Sequence, residues 1–211
     1  DVIARVLATR ERLREEGGLR DVEILFVDDG SRARSAEILR AGAGTASEEG
    51  AAAATPAAAI DAAPDFVSTP FPRPAYRVLT HPANRGYGRA LMTGFAAARG
   101  EWLSFYDADG TCDPLVLAGL LRRLRETSAD MAIGSRMDRS QSRMPFLRHV
   151  GNRVFSVLLN SVSSYKVSDV ASGMRVFRRA CYERLLPLPA GLNFSPALSA
   201  AAILDDRLRV V

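Results

Sequence analysis

Cysteine is scarce in this 211-residue chain, and long apolar runs are absent from it. The two cysteines, Cys112 and Cys181, lack the spacing of a metal site and cannot form a disulfide framework, so a reducing cytoplasm is the expected compartment. No stretch approaches the ~18 apolar residues needed to cross a bilayer. The opening Asp-Val-Ile-Ala-Arg is not a signal peptide. There is no RNA-binding aromatic motif, zinc finger or basic zipper, which argues against nucleic acid as a partner. No internal repeat stands out. What is there suits an ordinary globular domain with a full core: 47% hydrophobic and 25% charged residues.

Acidic residues are outnumbered, giving a net charge of +4. The excess gathers between Arg136 and Arg153, where five arginines (136, 139, 143, 148 and 153) and His149 face the single acid Asp138. Such a stretch suits a phosphorylated ligand or an anionic membrane surface better than a nucleic acid.

Hydrophobic patterning predicts α/β architecture. Residues 1–16 carry Ile3, Val6, Leu7 and Leu13 on one helical face, stopped by Gly17-Gly18. Val22 to Val27 is a nearly continuous apolar run, as expected of a strand in a parallel sheet, and it ends in Asp28-Asp29-Gly30-Ser31. Residues 35–40 suggest a helix. Residues 41–74, dominated by Ala and interrupted by five prolines, read as a variable, mobile surface insertion. Tyr76 to Thr80 predicts a strand. The turn His81 to Gly88 then opens a helix through Leu91 and Phe95, and its glycines permit close approach of a ligand to a helix N-terminus. Further on, Leu117, Leu120, Leu121 and Leu124 mark a helix, residues 130–134 a strand and 150–162 a helix. A polar turn and strand follow over 167–179, then a final helix and strand from Asn193.

The most informative stretch is Gly100 to Pro114, GEWLSFYDADGTCDP. An aromatic strand ends in Asp107-Ala108-Asp109, two carboxylates that leave the strand end on one side. Hard cations such as Mg²⁺ or Mn²⁺ take such ligands and bridge them to phosphate oxygens. Asp113-Pro114 predicts the N-cap and first residue of the next helix. Two strands ending in acids, Asp28-Asp29 and Asp107/Asp109, suit a nucleotide bound at the carboxyl edge of a parallel sheet.

VDDGS at 27–31, NRGYGRALMTGFAAARGEW at 84–102, DADGT at 107–111, GSR at 134–136 and DVASGMRVFRR at 169–179 together resemble family 2 glycosyltransferases, and within them the polyprenyl-phosphate (dolichol-phosphate) sugar transferases. The resemblance implies a single GT-A fold over residues 1–211, a Rossmann-like, mostly parallel sheet flanked by helices. It implies that Asp29 contacts the nucleotide with Asp28 behind it, that Gly86 lies beside the donor, and that Asp107 and Asp109 hold Mg²⁺ or Mn²⁺ on the diphosphate. Arg136 and Arg175 would contact phosphates, and Asp169 would lie near the reacting sugar. The implied reaction is inverting transfer of a hexose from a GDP- or UDP-sugar to a polyprenyl phosphate at the cytoplasmic face of a membrane. The protein would be peripheral there, or the cytoplasmic domain of a membrane protein. The Glu-Asp pair of hydroxyl-directed relatives is replaced by Phe194-Ser195-Pro196-Ala197, which favours a phosphate acceptor.

The sequence departs from this pattern by starting at the first helix, without the first strand and its nucleotide-binding turn. It also ends at Val211 and carries Thr111 where some relatives have a metal-binding Gln. It therefore reads as a catalytic domain truncated at both ends. Two other readings compete. One is a haloacid-dehalogenase-like phosphatase with Asp107 as nucleophile, Asp109 as general acid, and Ser135, Lys166 and Asp205-Asp206 as its remaining motifs. The other is a non-catalytic module of the same nucleotide-sugar fold.

Overall fold

Helices and short strands alternate through the computed structural model, which describes residues 2–31, 76–107, 113–134 and 174–211. The elements are α1 (Val2–Gly17), β1 (Leu25–Asp28), β2 (Arg77–Thr80), α2 (Tyr87–Ala97), β3 (Trp102–Phe105), α3 (Val116–Thr127), β4 (Met131–Ile133), β5 (Arg175–Arg178), α4 (Arg179–Arg184) and α5 (Phe194–Leu204). The expected insertion at 41–74 and the helices at 35–40 and 150–162 lie outside the described residues. The chain divides into two compact units: a larger one of residues 1–18, 101–189 and 193–211, and a smaller one of residues 19–100 and 190–192.

In the smaller unit β1 and β2 pair in parallel, Leu25 opposite Arg77 through Asp28 opposite Thr80. This is the parallel pairing that the apolar run at 22–27 predicts, but the strand starts three residues later. The reason lies at its entry. Val22 N–H donates to Asp21 Oδ1 at 2.7 Å. Glu23 is drawn into ion pairs with Arg77 at 2.9 Å and Arg99 at 3.1 Å. The ladder opens only where Arg77 N–H reaches the Ile24 carbonyl, at 2.9 Å. Phe26 meets Tyr76 edge to face at 5.1 Å between ring centres. Helix α2 lies close on β1, since a Cβ at Gly94 would stand 3.3 Å from Val27 Cγ2. Both strands therefore release their chains at one edge, Asp29 to Ser31 from β1 and His81 onward from β2.

In the larger unit β5 runs antiparallel between β3 and β4, with Phe177 opposite both Leu103 and Met131. The apolar patterning does not predict this direction. Where a last strand is expected from Leu208, Val210 forms an isolated parallel bridge to Met131. Phe177, Phe194, Met131 and Leu198 are fully buried. Phe105 stands edge-on to both Phe177 and Phe194, at 6.5 and 6.4 Å. Burial of each such side chain contributes about 1.5–3 kcal/mol.

Helix α3 buries Leu117, Leu121 and Leu124 at helical spacing and leaves Arg122, Arg123 and Arg125 outside, as predicted. Its start differs by one short turn. Asp113 Oδ1 accepts from Leu115 N–H at 3.0 Å, and Val116 N–H and Leu117 N–H bond the carbonyls of Asp113 and Pro114. Asp113 thus caps a 3₁₀ turn that feeds the α-helix. Arg125 donates to the carbonyls of Gly17 and Gly18, closing the end of α1 with a cation.

Candidate functional site

The best-defined part of the site is the carboxyl edge of β1 and β2. Asp28, the last residue of β1, is buried, and its Oδ1 accepts Ser31 N–H at 2.9 Å. Its carbonyl accepts His81 N–H at 2.8 Å. The turn between is tight. Gly30 has φ +73°, and a Cβ there would fall 2.7 Å from the backbone of Ala83 and Asn84. Only glycine lets the two loops touch here.

Asp29 stands at the centre of this arrangement. Its Oδ1 accepts from His81 Nδ1 at 2.6 Å and from Arg85 N–H at 2.9 Å. Its Oδ2 accepts Gly86 N–H at 2.8 Å. The other imidazole nitrogen, Nε2, lies 2.9 Å from Thr93 Oγ1 on α2. Burial alone would raise the carboxyl's pKa. The bonds from His81, Arg85 and Gly86, with the charge of His81, outweigh that together and hold it below the ordinary value. The carboxylate thus fixes the glycine turn that leads into α2, and Gly86, at φ +95°, gives it an amide. Gly88 brings α2 against the Ala190 backbone, which an added Cβ would meet at 2.5 Å.

In the larger unit, Asp107 follows β3 by two residues and is partly exposed. Asp109 lies outside the described residues, as do Arg136, Asp169 and the arginine-rich stretch 136–153. Among the described residues no three His, Cys, Asp or Glu side chains gather as a metal cage. In donor chemistry Asp107, with Asp109, fits a hard cation that one or two carboxylates share with substrate phosphates.

Arg175 is placed differently from the phosphate contact that the resemblance implies. It is 0% exposed. Nε and Nη2 donate to Ser199 Oγ at 3.0 and 2.8 Å, Nη2 also donates to the Ser195 carbonyl at 3.0 Å, and the guanidinium carbon lies 5.5 Å from the centre of the Phe105 ring. Position 175 opens β5, the middle strand, so its side chain enters the core and ties α5 to the sheet. The segment Phe194 to Ala197 is the other half of that contact: Phe194 is fully buried and Ser195 supplies the carbonyl. Asp205, one of the residues a phosphatase would need, is engaged with Arg184 at 2.7 Å and Arg207 at 3.1 Å. Ser135 and Lys166 lie outside the described residues.

Sequence reasoning missed His81 and Thr93. The only local hint was a histidine directly after an apolar strand. Its partner Asp29 is 52 residues away, and no spacing rule connects them.

Residues 58–186 match the family model for Glycosyl transferase family 2. The chain is 37% identical over 132 residues to the low-salt glycan biosynthesis hexosyltransferase Agl6 of Haloferax volcanii, covering 61% of this chain and 32% of that protein. It is 27% identical over 179 residues to the undecaprenyl-phosphate 4-deoxy-4-formamido-L-arabinose transferase of Edwardsiella ictaluri, covering 84% and 45%. The chain thus spans a third to a half of the length of these relatives. Its fold is similar to that of glucosyl-3-phosphoglycerate synthase from Mycobacterium tuberculosis, with TM-score 0.60 at 18% identity, covering all of this chain and 63% of the synthase. With more than half of its residues matched, the chain belongs to glycosyl transferase family 2.

Proposed function

We propose that this chain is the catalytic part of a metal-dependent, inverting transferase that moves a hexose from a GDP- or UDP-sugar to a polyprenyl phosphate. The observation that carries the reading is the pair of acidic strand ends, Asp28-Asp29 after β1 and Asp107 after β3, in a family 2 chain. The relative from Edwardsiella ictaluri is named for an undecaprenyl-phosphate reaction, and the mycobacterial synthase has been crystallised with Mn²⁺ and UDP. Asp29 accepts from the nucleotide, Asp28 fixes the turn behind it, and Gly86 permits close approach of the donor. Asp107 and Asp109 hold Mg²⁺ or Mn²⁺, which when bound stabilises the charge developing on the diphosphate. An acceptor phosphate oxygen attacks the anomeric carbon as the bond to the nucleoside diphosphate breaks, with inversion. That oxygen is already ionised at neutral pH, so no general base is required. Arg136 contacts a phosphate, and Asp169 lies beside the reacting sugar. Arg175 serves the site by holding α5 against β5.

Among the described residues no helix is long and apolar enough to cross a membrane. A cytoplasmic protein held peripherally at a membrane through the arginines of 136–153, or the cytoplasmic part of a membrane protein, is the placement we propose. Calorimetric titration of UDP and GDP, with and without Mn²⁺, tests the donor site. One nucleotide should bind only with metal, and Asp107→Ala and Asp109→Ala should abolish that binding. Transfer of labelled sugar to a short-chain polyprenyl phosphate then tests the acceptor. Binding of neither nucleotide, with turnover of a phosphate monoester that needs Asp107, would decide for the phosphatase instead.

A further inference from the structure

We infer that His81 is a positioning residue for donor recognition, setting the Asp29 carboxylate so that a single acceptor position remains for the nucleotide. The inference rests on the glycosyltransferase reading above. An ionised carboxylate offers about four lone-pair positions. Three are taken: His81 Nδ1 and Arg85 N–H occupy Oδ1, and Gly86 N–H occupies one position on Oδ2. The side chain of Asp29 keeps 18% of its surface exposed, whereas that of His81 keeps 5%. What can approach the remaining position is an N–H or O–H donor, the chemistry of a base imide or a ribose hydroxyl. A phosphate offers no such donor once ionised.

His81 is suited to this role by its fixed place. Its backbone N–H is bonded to the Asp28 carbonyl at 2.8 Å. Its ring bridges Asp29 and Thr93 at 2.6 and 2.9 Å. With Nδ1–H donating to the carboxylate, Nε2 meets the Thr93 hydroxyl, and both nitrogens are satisfied. The contacts join the exits of β1 and β2 to α2, so the carboxylate cannot turn about its terminal bond without breaking one of them. If the ring is lost, Oδ1 keeps only the Arg85 N–H, and the carboxylate is free to swing and weaken its bonds to Arg85 or Gly86.

Single substitutions separate this role from a purely structural one. Asparagine at position 81 keeps a donor where Nδ1 stands, and glutamine keeps a group near Nε2 instead. His81→Asn should hold nucleotide affinity within about 3-fold of the original. His81→Gln and His81→Phe should weaken it by about 10–100-fold, the range for losing a charge-assisted bond. At saturating donor, transfer rates should stay within about 2-fold. Amide exchange at Arg85 and Gly86, a readout that needs no ligand, should quicken in the Gln and Phe variants only. If His81→Phe does not fold, the Asn and Gln pair still decides. Equal effects of Asn and Gln, or unchanged affinity in both, overturn the inference and leave the transferase reading intact. Failure of the unsubstituted chain to bind either UDP or GDP overturns that reading, and this role with it.

Discussion

Two charged side chains of the family motifs, Asp29 and Arg175, both hold several hydrogen bonds, yet they organise different things. Asp29 leaves a strand end and gathers backbone amides of the following turn, keeping part of its surface open. Arg175 enters a middle strand and gathers a hydroxyl and a carbonyl from a helix, fully enclosed. The anion shapes a loop that a ligand can approach, and the cation fixes a core. Position in the sheet, more than residue type, separates the two: a charge one residue beyond a strand's carboxyl end remains at the edge, whereas one in the central strand is buried against the helix it binds.

The largest effect expected from this contrast is on stability. Arg175→Ala leaves a large void and strips partners from Ser199 Oγ and the Ser195 carbonyl. It should cost about 3–5 kcal/mol in urea unfolding. Asp29→Ala should cost about 1–3 kcal/mol, because the freed amides lie near solvent. Equal costs would break the comparison.

Next in size is Gly88→Ala. Its Cβ would stand 2.5 Å from the Ala190 carbonyl carbon, which is backbone and cannot swing aside. The cost should be about 1–3 kcal/mol, read as a lower melting temperature. Amide exchange should rise around residues 86–90 and stay unchanged at β5. A spread of faster exchange into β5 would show that the two regions do not respond separately.

The pH response sharpens the same point. The folded pKa of Asp29 is depressed, so its stabilising effect is complete above the ordinary carboxylate value and is lost as pH falls through the folded value. Asp29→Asn should therefore flatten the acid limb of a stability–pH curve and leave its neutral-to-basic part parallel to the original. An unchanged acid limb in the variant would place the acid sensitivity elsewhere. Substituting Arg175 should lower the curve without altering its shape.

Much of the framework was legible in the sequence because it rests on local periodicity. Leu117, Leu121 and Leu124 recur on one helical face, and Asp113 caps the turn before them. The apolar runs before Asp28 and Asp107 locate two strand ends. What stayed hidden depends on register. His81 meets Asp29 only because Asp28 pairs with Thr80 across a parallel ladder, and nothing within either segment encodes that alignment. Arg175 is charged and lies in a polar motif, so its burial follows from the antiparallel placement of β5 between two neighbours. A residue-by-residue resemblance carries over identity and spacing, but not the direction of a strand.

The smallest effect calibrates the others. Gly119 lies on the exposed side of α3, and a Cβ built there meets nothing within 4 Å. Its backbone is helical, so alanine adds no strain and removes conformational freedom from the unfolded chain. Gly119→Ala should stabilise the protein by about 0.5–1 kcal/mol. The gain should appear as a higher urea midpoint with an unchanged slope, since no buried surface is altered. Nucleotide affinity and exchange at Arg85 and Gly86 should not move, because no contact of the glycine turn is touched. If this remote gain did tighten nucleotide binding, global stability would be limiting donor affinity, and the losses expected for His81 variants would have to be read against stability-matched controls.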